Sequence, residues 1–177
     1  HEVINSSDIV ILSVKPQFYA EVIAEIKDDV REDQIIITIA PGKTLAWLKE
    51  QFGKNVKIVR TMPNTPALVG EGMTAACPNE YMTKEEIAYV LTLLESFGRV
   101  EIIPERLMDT VVSVSGSSPA YVFMFIEAMA DAAVSGGMPR AQAYQFAAQA
   151  VLGSAKMVLE TGKHPGQLKD EVCSPGG

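Results

Sequence analysis

Residues Val111 to Gly137 read V-V-S-V-S-G-S-S-P-A-Y-V-F-M-F-I-E-A-M-A-D-A-A-V-S-G-G, and this stretch divides the chain. It reads as the end of one helix, a tight Ser/Gly bend and a long buried helix. Ser118 stands in the N-cap position, where a hydroxyl accepts an orphan backbone N–H. Pro119 takes the first helical position, where its missing donor costs nothing. Val122, Phe125, Ile126, Met129 and Ala133 then recur at helical spacing. The opposite face, with Phe123, Met124 and Ala130, is apolar too. A helix apolar nearly all round is expected in a core or between subunits.

Before this stretch, short apolar runs alternate with amphipathic ones. Ile9 to Val14 and Gln34 to Ala40 are nearly continuous apolar runs, as expected of strands covered on both faces. Val56 to Arg60, Met73 to Cys77 and Arg99 to Ile103 read as further strands. Between them, Gln17 to Val30 carries Tyr19, Val22, Ile23, Ile26 and Val30 on one helical face. Thr44 caps a helix that Gly53 ends, and Thr83 with Glu86 forms a capping box. Thr61 to Pro66 (T-M-P-N-T-P) carries two prolines and fits neither a strand interior nor a helix. The alternation predicts a parallel sheet with right-handed crossovers, that is, an α/β fold with a Rossmann-like sheet domain over 1–103. From Pro104 onward the pattern is helical, with a small-residue stripe over Phe146 to Val158. Residues 104–177 are therefore expected to form an all-helical domain whose small residues let helix axes approach closely; the resemblance given below makes it a dimerisation domain.

Composition narrows the function. The chain has 177 residues, is 47% apolar and carries a net charge of -7, with a pI near 4.9. Such a chain builds a real core, and the acidic balance argues against a nucleic-acid partner. Cys77 and Cys173 form no disulfide framework, which fits a reducing, cytoplasmic location. The apolar run over 121–134 is interrupted by Glu127 and Asp131, so no membrane span is expected. His1 and His164 lack ligand-spaced partners, so no metal site is expected; His164 before Pro165 is expected to cap a helix. Asp131 is expected to pair with Arg140 across the Gly-Gly turn.

In parallel α/β sheets ligands bind beyond the carboxyl ends of the strands. Three such ends are visible: Ser13-Val14-Lys15-Pro16, Ile39-Ala40-Pro41-Gly42 and Thr61-Met62-Pro63-Asn64. Lys15 places a cation at the rim, Gly42 allows close backbone approach, and Asn64 offers a donor and an acceptor. The edge suits a phosphate-bearing or nucleotide ligand, although Pro and Gly also serve simply as turn residues. The Ser/Gly cluster around Gly116 presents N–H groups that bind an anion or merely pack the bend. The loop Cys173-Ser174-Pro175-Gly176-Gly177 offers backbone N–H groups, on every residue but Pro175, suited to a carboxylate; a frayed end is the plainer reading.

Six segments, D-I-V-I-L-S-V-K-P (8–16), R-T-M-P-N-T-P (60–66), E-G-M-T (71–74), S-G-S-S-P-A-Y (115–121), G-M-P-R (137–140) and H-P-G-Q-L-K-D-E-V-C-S-P-G-G (164–177), together resemble the pyrroline-5-carboxylate reductase family. The resemblance covers essentially the whole chain. It implies an N-terminal dinucleotide-binding domain and a C-terminal helical domain that interlocks into homodimers and often higher homo-oligomers. It implies reduction of the cyclic imino acid 1-pyrroline-5-carboxylate to L-proline with NADPH or NADH, the last step of proline biosynthesis. On the same grounds Ser13, Val14, Lys15, Pro16, Ile39, Ala40 and Pro41 line the nicotinamide cofactor, and Asn64 shapes that cleft. Cys173, Ser174, Pro175, Gly176 and Gly177 hold the substrate carboxylate. The chemistry asks mainly for orientation, and no side chain is assigned as a catalytic acid.

Three departures from the family pattern set further expectations. No G-x-G-x-x-G turn is present, Ser118 replaces a glycine, and the chain ends on Gly177 where the family continues with a threonine. The chain is therefore expected to be a fragment lacking the N-terminal dinucleotide fingerprint and the C-terminal end, weak or inactive by itself. The choice between NADP and NAD is left open. A related dehydrogenase of the hydroxyacid type would need a lysine on the central helix, and Pro119 to Gly137 contains none. A non-catalytic oligomerisation module would have no use for three polar, Pro/Gly-rich strand ends on one edge.

Overall fold

The computed structural model describes residues 1–176. Contacts divide the chain into two compact units, His1–Pro119 and Ala120–Gly177. The first unit holds a five-stranded sheet in the order β1 (Ile9–Leu12), β2 (Ile35–Thr38), β3 (Lys57–Met62), β4 (Gly72–Pro78), β5 (Gly98–Ile102). Strands β1, β2 and β3 are parallel, with Ile9 opposite Ile35 and Ile35 opposite Lys57. Strand β4 runs antiparallel to β3, and β5 parallel to β4. The sheet is thus mixed rather than wholly parallel. The reason is the connection after β3: two prolines forbid a crossover helix there, and a short helical turn over Thr65–Val69 reverses the chain instead.

Side chains alternate across the sheet with period two. Val10, Leu12, Ile36 and Ile58 face a core shared with helix α1 (Glu2–Ser6), helix α2 (Tyr19–Ile26) and helix α3 (Leu45–Phe52). Ile35, Ile37, Val59 and Ala76 face the other core, with Val90 and Leu94 of helix α4 (Lys84–Glu95). All four residues of β2 are buried, so its apolar run is continuous. The caps form as expected. Thr44 Oγ1 accepts the Trp47 N–H at 3.1 Å, and Thr83 and Glu86 form the reciprocal capping box. Gly53 takes the left-handed conformation that ends α3. Gly98 sits so close to β4 that an added Cβ would lie 2.1 Å from the Gly72 carbonyl oxygen, a position only glycine fills.

The segment after Pro104 belongs to the sheet unit. Met108, 1% exposed, packs with Met62, Ala75 and Cys77. The compact unit therefore extends to Pro119, beyond the expected boundary at 103/104. The Ser/Gly bend is also different from the sequence expectation. Helix α5 (Met108–Val111) passes into a π-helical turn over Val112–Gly116, in which the Ser117 N–H reaches back to the Val112 carbonyl at 2.8 Å. Ser113 and Ser115 hydroxyls bond back to the Thr110 and Val111 carbonyls, which widens the turn. Ser118 is consequently the first residue of helix α6 (Ser118–Ser135) and not a residue outside it.

Helix α6 is not self-buried. Only Ala130 is buried along it, while Phe123, Met124 and Phe125 are exposed. Helix α7 (Arg140–Thr161) likewise buries only Ala143 and Ala147. Arg140 pairs with Asp131 across the Gly-Gly turn. His164 Nδ1 accepts the Gly166 N–H at 3.1 Å and caps helix α8 (Pro165–Val172). The helical run Glu105–Ser135 is long and apolar enough, by length and composition alone, to cross a bilayer. The expectation of no such run was set by Glu127 and Asp131, which lie near its end. A core helix passes the same test.

Candidate functional site

Parallel pairing of β1, β2 and β3 brings their carboxyl ends to one edge of the sheet. Ser13–Pro16, Ile39–Pro41 and Asn64 therefore share that edge, each just beyond its strand. Ser13 and Lys15 are exposed, and the Ser13 N–H turns back to the Ile11 carbonyl at 3.1 Å. Pro16 starts a short helical turn that leads into α2. Val14 packs against the α2/α3 core, and Ala40, 2% exposed, is part of it. Pro41 is exposed.

Beside these ends lies an open cavity of about 670 Å³, a size suited to a small ligand or part of a cofactor. Ile11, Ile37, Ile39, Thr61, Pro63 and Asn64 line it, and Gly116 of the π turn borders it. Turns of this kind are frequent at functional sites because they displace the backbone from the regular ladder. Of the eight expected cofactor residues, only Ile39 and Asn64 line this cavity. The Asn64 amide is already committed: Oδ1 accepts the Met73 N–H at 2.8 Å, and Nδ2 donates to the Ser115 carbonyl at 3.0 Å. Asn64 shapes the cavity by holding β3, β4 and the π turn together.

Three residues that sequence reasoning did not single out as site residues brace this edge. Tyr19, fully buried, donates its hydroxyl to the Leu12 carbonyl and accepts the Ile39 N–H at 3.3 Å. Burial pushes the Tyr19 phenol up in pKa, while the Ile39 and Ala40 amides pull it back. The phenol is therefore a neutral donor at ordinary pH. Arg60, 3% exposed, pairs with Glu105 at 2.9 Å, and the same carboxylate oxygen accepts the Leu45 N–H at 2.6 Å. One carboxylate thus ties β3 to the start of α3, directly after the Ile39–Pro41 loop. The signal available in the sequence was an arginine inside a strand with no exposed face: such a charge needs a buried partner. Nearby, burial pushes the Cys77 thiol up, Glu105 adds to this and Arg60 opposes it, so Cys77 is not an activated nucleophile.

The loop expected to hold the substrate carboxylate lies in the other unit. Cys173 follows α8, its N–H donating to the Lys169 carbonyl at 3.2 Å. Cys173, Ser174, Pro175 and Gly176 are exposed, and Gly176 has a φ of 80°. Gly177 lies outside the described residues.

A mixed sheet with three loop-bearing strand ends on one edge, followed by long apolar helices, places the chain in the Rossmann-like class with a helical second domain. Residues 105–177 match the family model described as pyrroline-5-carboxylate reductase dimerisation. Residues 1–42 match the model described as NADP oxidoreductase coenzyme F420-dependent. The pyrroline-5-carboxylate reductase of Escherichia coli K12 is 59% identical over 176 residues, covering 99% of this chain and 65% of that protein. A Plasmodium falciparum pyrroline carboxylate reductase, solved with NADP bound, superposes with a TM-score of 0.91 at 37% identity, covering 99% of this chain and 67% of that one. A Coxiella burnetii pyrroline-5-carboxylate reductase gives 0.88 at 36% identity, covering 98% and 65%. The chain belongs to the pyrroline-5-carboxylate reductase family. It spans about 65% of the length of the curated relatives it matches.

The comparisons correct one expectation. The chain was expected to be a fragment lacking the N-terminal dinucleotide region. Its first 42 residues themselves match an NADP oxidoreductase model, and its relatives align along 99% of it. The dinucleotide-type sequence thus extends to the start of the chain.

Proposed function

We propose that this protein reduces 1-pyrroline-5-carboxylate to L-proline, with NADPH or NADH as the reductant. The observation that carries the proposal is the convergence of three loop-bearing strand ends beside an apolar cavity, in a chain 59% identical to a pyrroline-5-carboxylate reductase. When bound, the dinucleotide supplies the hydride that reduces the ring carbon of the protonated imine.

The residues present fit such a group. Ser13, Val14, Lys15 and Pro16 on one strand end and Ile39, Ala40 and Pro41 on the next would hold its nicotinamide half. Pro16 and Pro41 restrict both loops, which reduces the conformational freedom lost on binding. Lys15 leaves an exposed cation at the rim. The apolar walls of Ile11, Ile37 and Ile39 would shield the reacting ring once it is bound, and Asn64 fixes the floor through its two backbone partners. Backbone N–H groups of the Cys173–Gly177 loop would hold the substrate carboxylate. Orientation, not a dedicated acid, is this chain's contribution.

The exposed faces of α6 and α7 support a homodimer, with higher homo-oligomers built from it. In functional terms we take 1–103 as the dinucleotide domain and 104–177 as the dimerisation domain. Cys77 and Cys173, both free, suit a cytoplasmic setting.

The test follows dinucleotide oxidation and proline formation with pyrroline-5-carboxylate. Turnover supports the proposal and reveals the preferred dinucleotide. Tight dinucleotide binding without turnover points to another imine or carbonyl acid. A folded protein that binds neither dinucleotide is a non-catalytic module, and the proposal falls.

A further inference from the structure

The β1–β2 ladder is interrupted by a side chain at the point where the proposed crevice begins. The Ile35 N–H donates to the Asp8 carbonyl at 3.0 Å, and the register then runs from Ile9–Ile35 to Leu12–Thr38. In a parallel ladder the donors on one strand recur every second residue. The rung due after Leu12–Thr38 is therefore the Ile39 N–H to the Leu12 carbonyl. The Tyr19 oxygen stands in that rung instead. It accepts the Ile39 N–H at 3.3 Å and donates its own proton to the Leu12 carbonyl. The phenol is fully buried. Its ring is anchored in the α2/α3 core beside Ile23 and Leu48, so the hydroxyl is not free to swing aside.

One inserted oxygen has two consequences. The Leu12 carbonyl and the Ile39 N–H both keep a partner, so the break in the ladder leaves neither backbone group unsatisfied. The strand ends also stand apart by the width of a hydroxyl, directly before Ser13–Pro16 and Ile39–Pro41. Beyond the rung, the Ser13 N–H turns back along its own strand. On the far side of β2 the pairing with β3 runs to Thr38–Arg60, and Thr61 Oγ1 donates to the Thr38 carbonyl at 2.9 Å.

We propose that Tyr19 is a positioning residue: its hydroxyl, wedged into the β1–β2 ladder, sets the spacing of the two loops that receive the dinucleotide. This rests on the dinucleotide reading given above. Tyr19→Phe removes the oxygen and keeps the ring, so the core packing is retained. The rung then closes directly between Ile39 and Leu12, and the loops move together.

The test compares the parent chain with Tyr19→Phe in three measurements. These are NADPH and NADH affinity by titration calorimetry, the Ile39 amide and Leu12 carbonyl signals by NMR, and thermal unfolding. The expected result is a shift of both backbone signals, with dinucleotide affinity weakened ~3- to 10-fold, the effect of one neutral hydrogen bond. In steady state the dinucleotide KM rises by a similar factor while kcat at saturation stays within about twofold. A purely structural role would lower the melting temperature without changing the affinity of the folded protein. Unchanged backbone signals overturn the inference, because the wedge is then absent. Shifted signals with unchanged affinity also overturn it, because the spacing then does not matter to the ligand. A parent chain that binds neither dinucleotide overturns the proposed function and takes this inference with it. A parent that binds with a variant that binds equally well overturns only the inference.

Discussion

In the unit His1–Pro119 a core of large apolar side chains is fully buried, Ile36, Ile37, Ile58 and Leu48 each at most 1% exposed, although Leu68 and Val69 of the turn after β3 stand out of it. In the unit Ala120–Gly177 the buried side chains on the two long helices are alanines, and Phe123, Phe125 and Phe146 stand in solvent. The two units carry apolar residues in similar abundance and use them in opposite ways. The sheet unit closes its own core and places polar ties inside it. The helical unit uses small residues within the chain and leaves its large ones for a surface outside it. A single chain cannot gain the hydrophobic stabilisation of those side chains, worth ~1.5–3 kcal/mol each on full burial. That difference is why the dimer proposal attaches to α6 and α7 and to no face of the sheet.

The largest expected effect probes the inward ties of the sheet unit. Glu105→Ala leaves the Arg60 guanidinium buried without a counter-charge and leaves the Leu45 N–H without its acceptor. Breaking one partner of a buried pair costs ~3–5 kcal/mol. Denaturant unfolding followed by far-UV circular dichroism should show this as a lower midpoint. Glu105→Gln keeps the acceptor and should lose less. A loss under about 1 kcal/mol for the alanine variant would mean that solvent reaches Arg60 and that the sheet unit does not depend on its internal polar braces.

The next effect tests the outward surface. Phe146 on α7 is 67% exposed within the chain. If it is a buried anchor in the dimer, Phe146→Ala weakens association by ~2 kcal/mol, about thirtyfold in the dissociation constant. Sedimentation equilibrium across a concentration series reads this directly. The unfolding midpoint of the sheet unit should not move. A protein that is monomeric at every concentration would break the comparison, since the helical unit would then expose its phenylalanines to no purpose.

Much of the sheet unit was legible in the sequence because its signals are local. Apolar runs gave the strands, and Thr44, Gly53 and Thr83 marked helix ends through groups within four residues of themselves, as His164 does in the helical unit. The direction of β4 was not legible. Pro63 and Pro66 announce a turn, but a turn does not state which way the next strand runs. The π turn was hidden for a related reason: Ser113, Ser115 and Gly116 read as a break, whereas the serine hydroxyls bond back and let the helix continue. At the candidate site, periodicity placed Tyr19 inward without naming the partners of its hydroxyl. Those partners lie 7 and 20 positions away. Arg60 and Glu105 are 45 apart, and only the folded chain brings them together.

A smaller effect asks whether local devices behave alike in both units. Thr83→Ala removes the side-chain half of the capping box on α4, and His164→Ala removes the cap of α8. Loss of a threonine cap costs ~1 kcal/mol. The measurement is native-state hydrogen exchange, resolved by residue, in the first turn of each helix. Each substitution should raise exchange in its own helix and leave the other unchanged. Cross-talk between them would show that the units unfold as one.

The smallest effect is in acid. Glu86 is held below the ordinary carboxylate range, first by the Lys57 ammonium and then by the Thr83 N–H; Glu171 is held low first by Lys163. A carboxylate with a lowered folded pKa contributes stability that is fully present above its unfolded value, about 4.3 for Glu. That stability is lost as the pH falls through the folded value. Both pairs therefore act in the same direction, but their surroundings differ. The Lys57 and Glu86 side chains are 21% and 25% exposed and join β3 to α4. Lys163 and Glu171 are 42% and 44% exposed, on one short stretch of chain. Solvent and salt screen the second pair more strongly. Glu86→Gln should flatten the fall in unfolding midpoint between about pH 5 and pH 3. Glu171→Gln should leave that curve nearly unchanged, and added salt should erase what little difference it makes. Equal flattening by both substitutions would mean that the helical unit relies on its surface charges as much as the sheet unit relies on its half-buried ones. The contrast between an inward-tied unit and an outward-facing one would then hold for apolar side chains only.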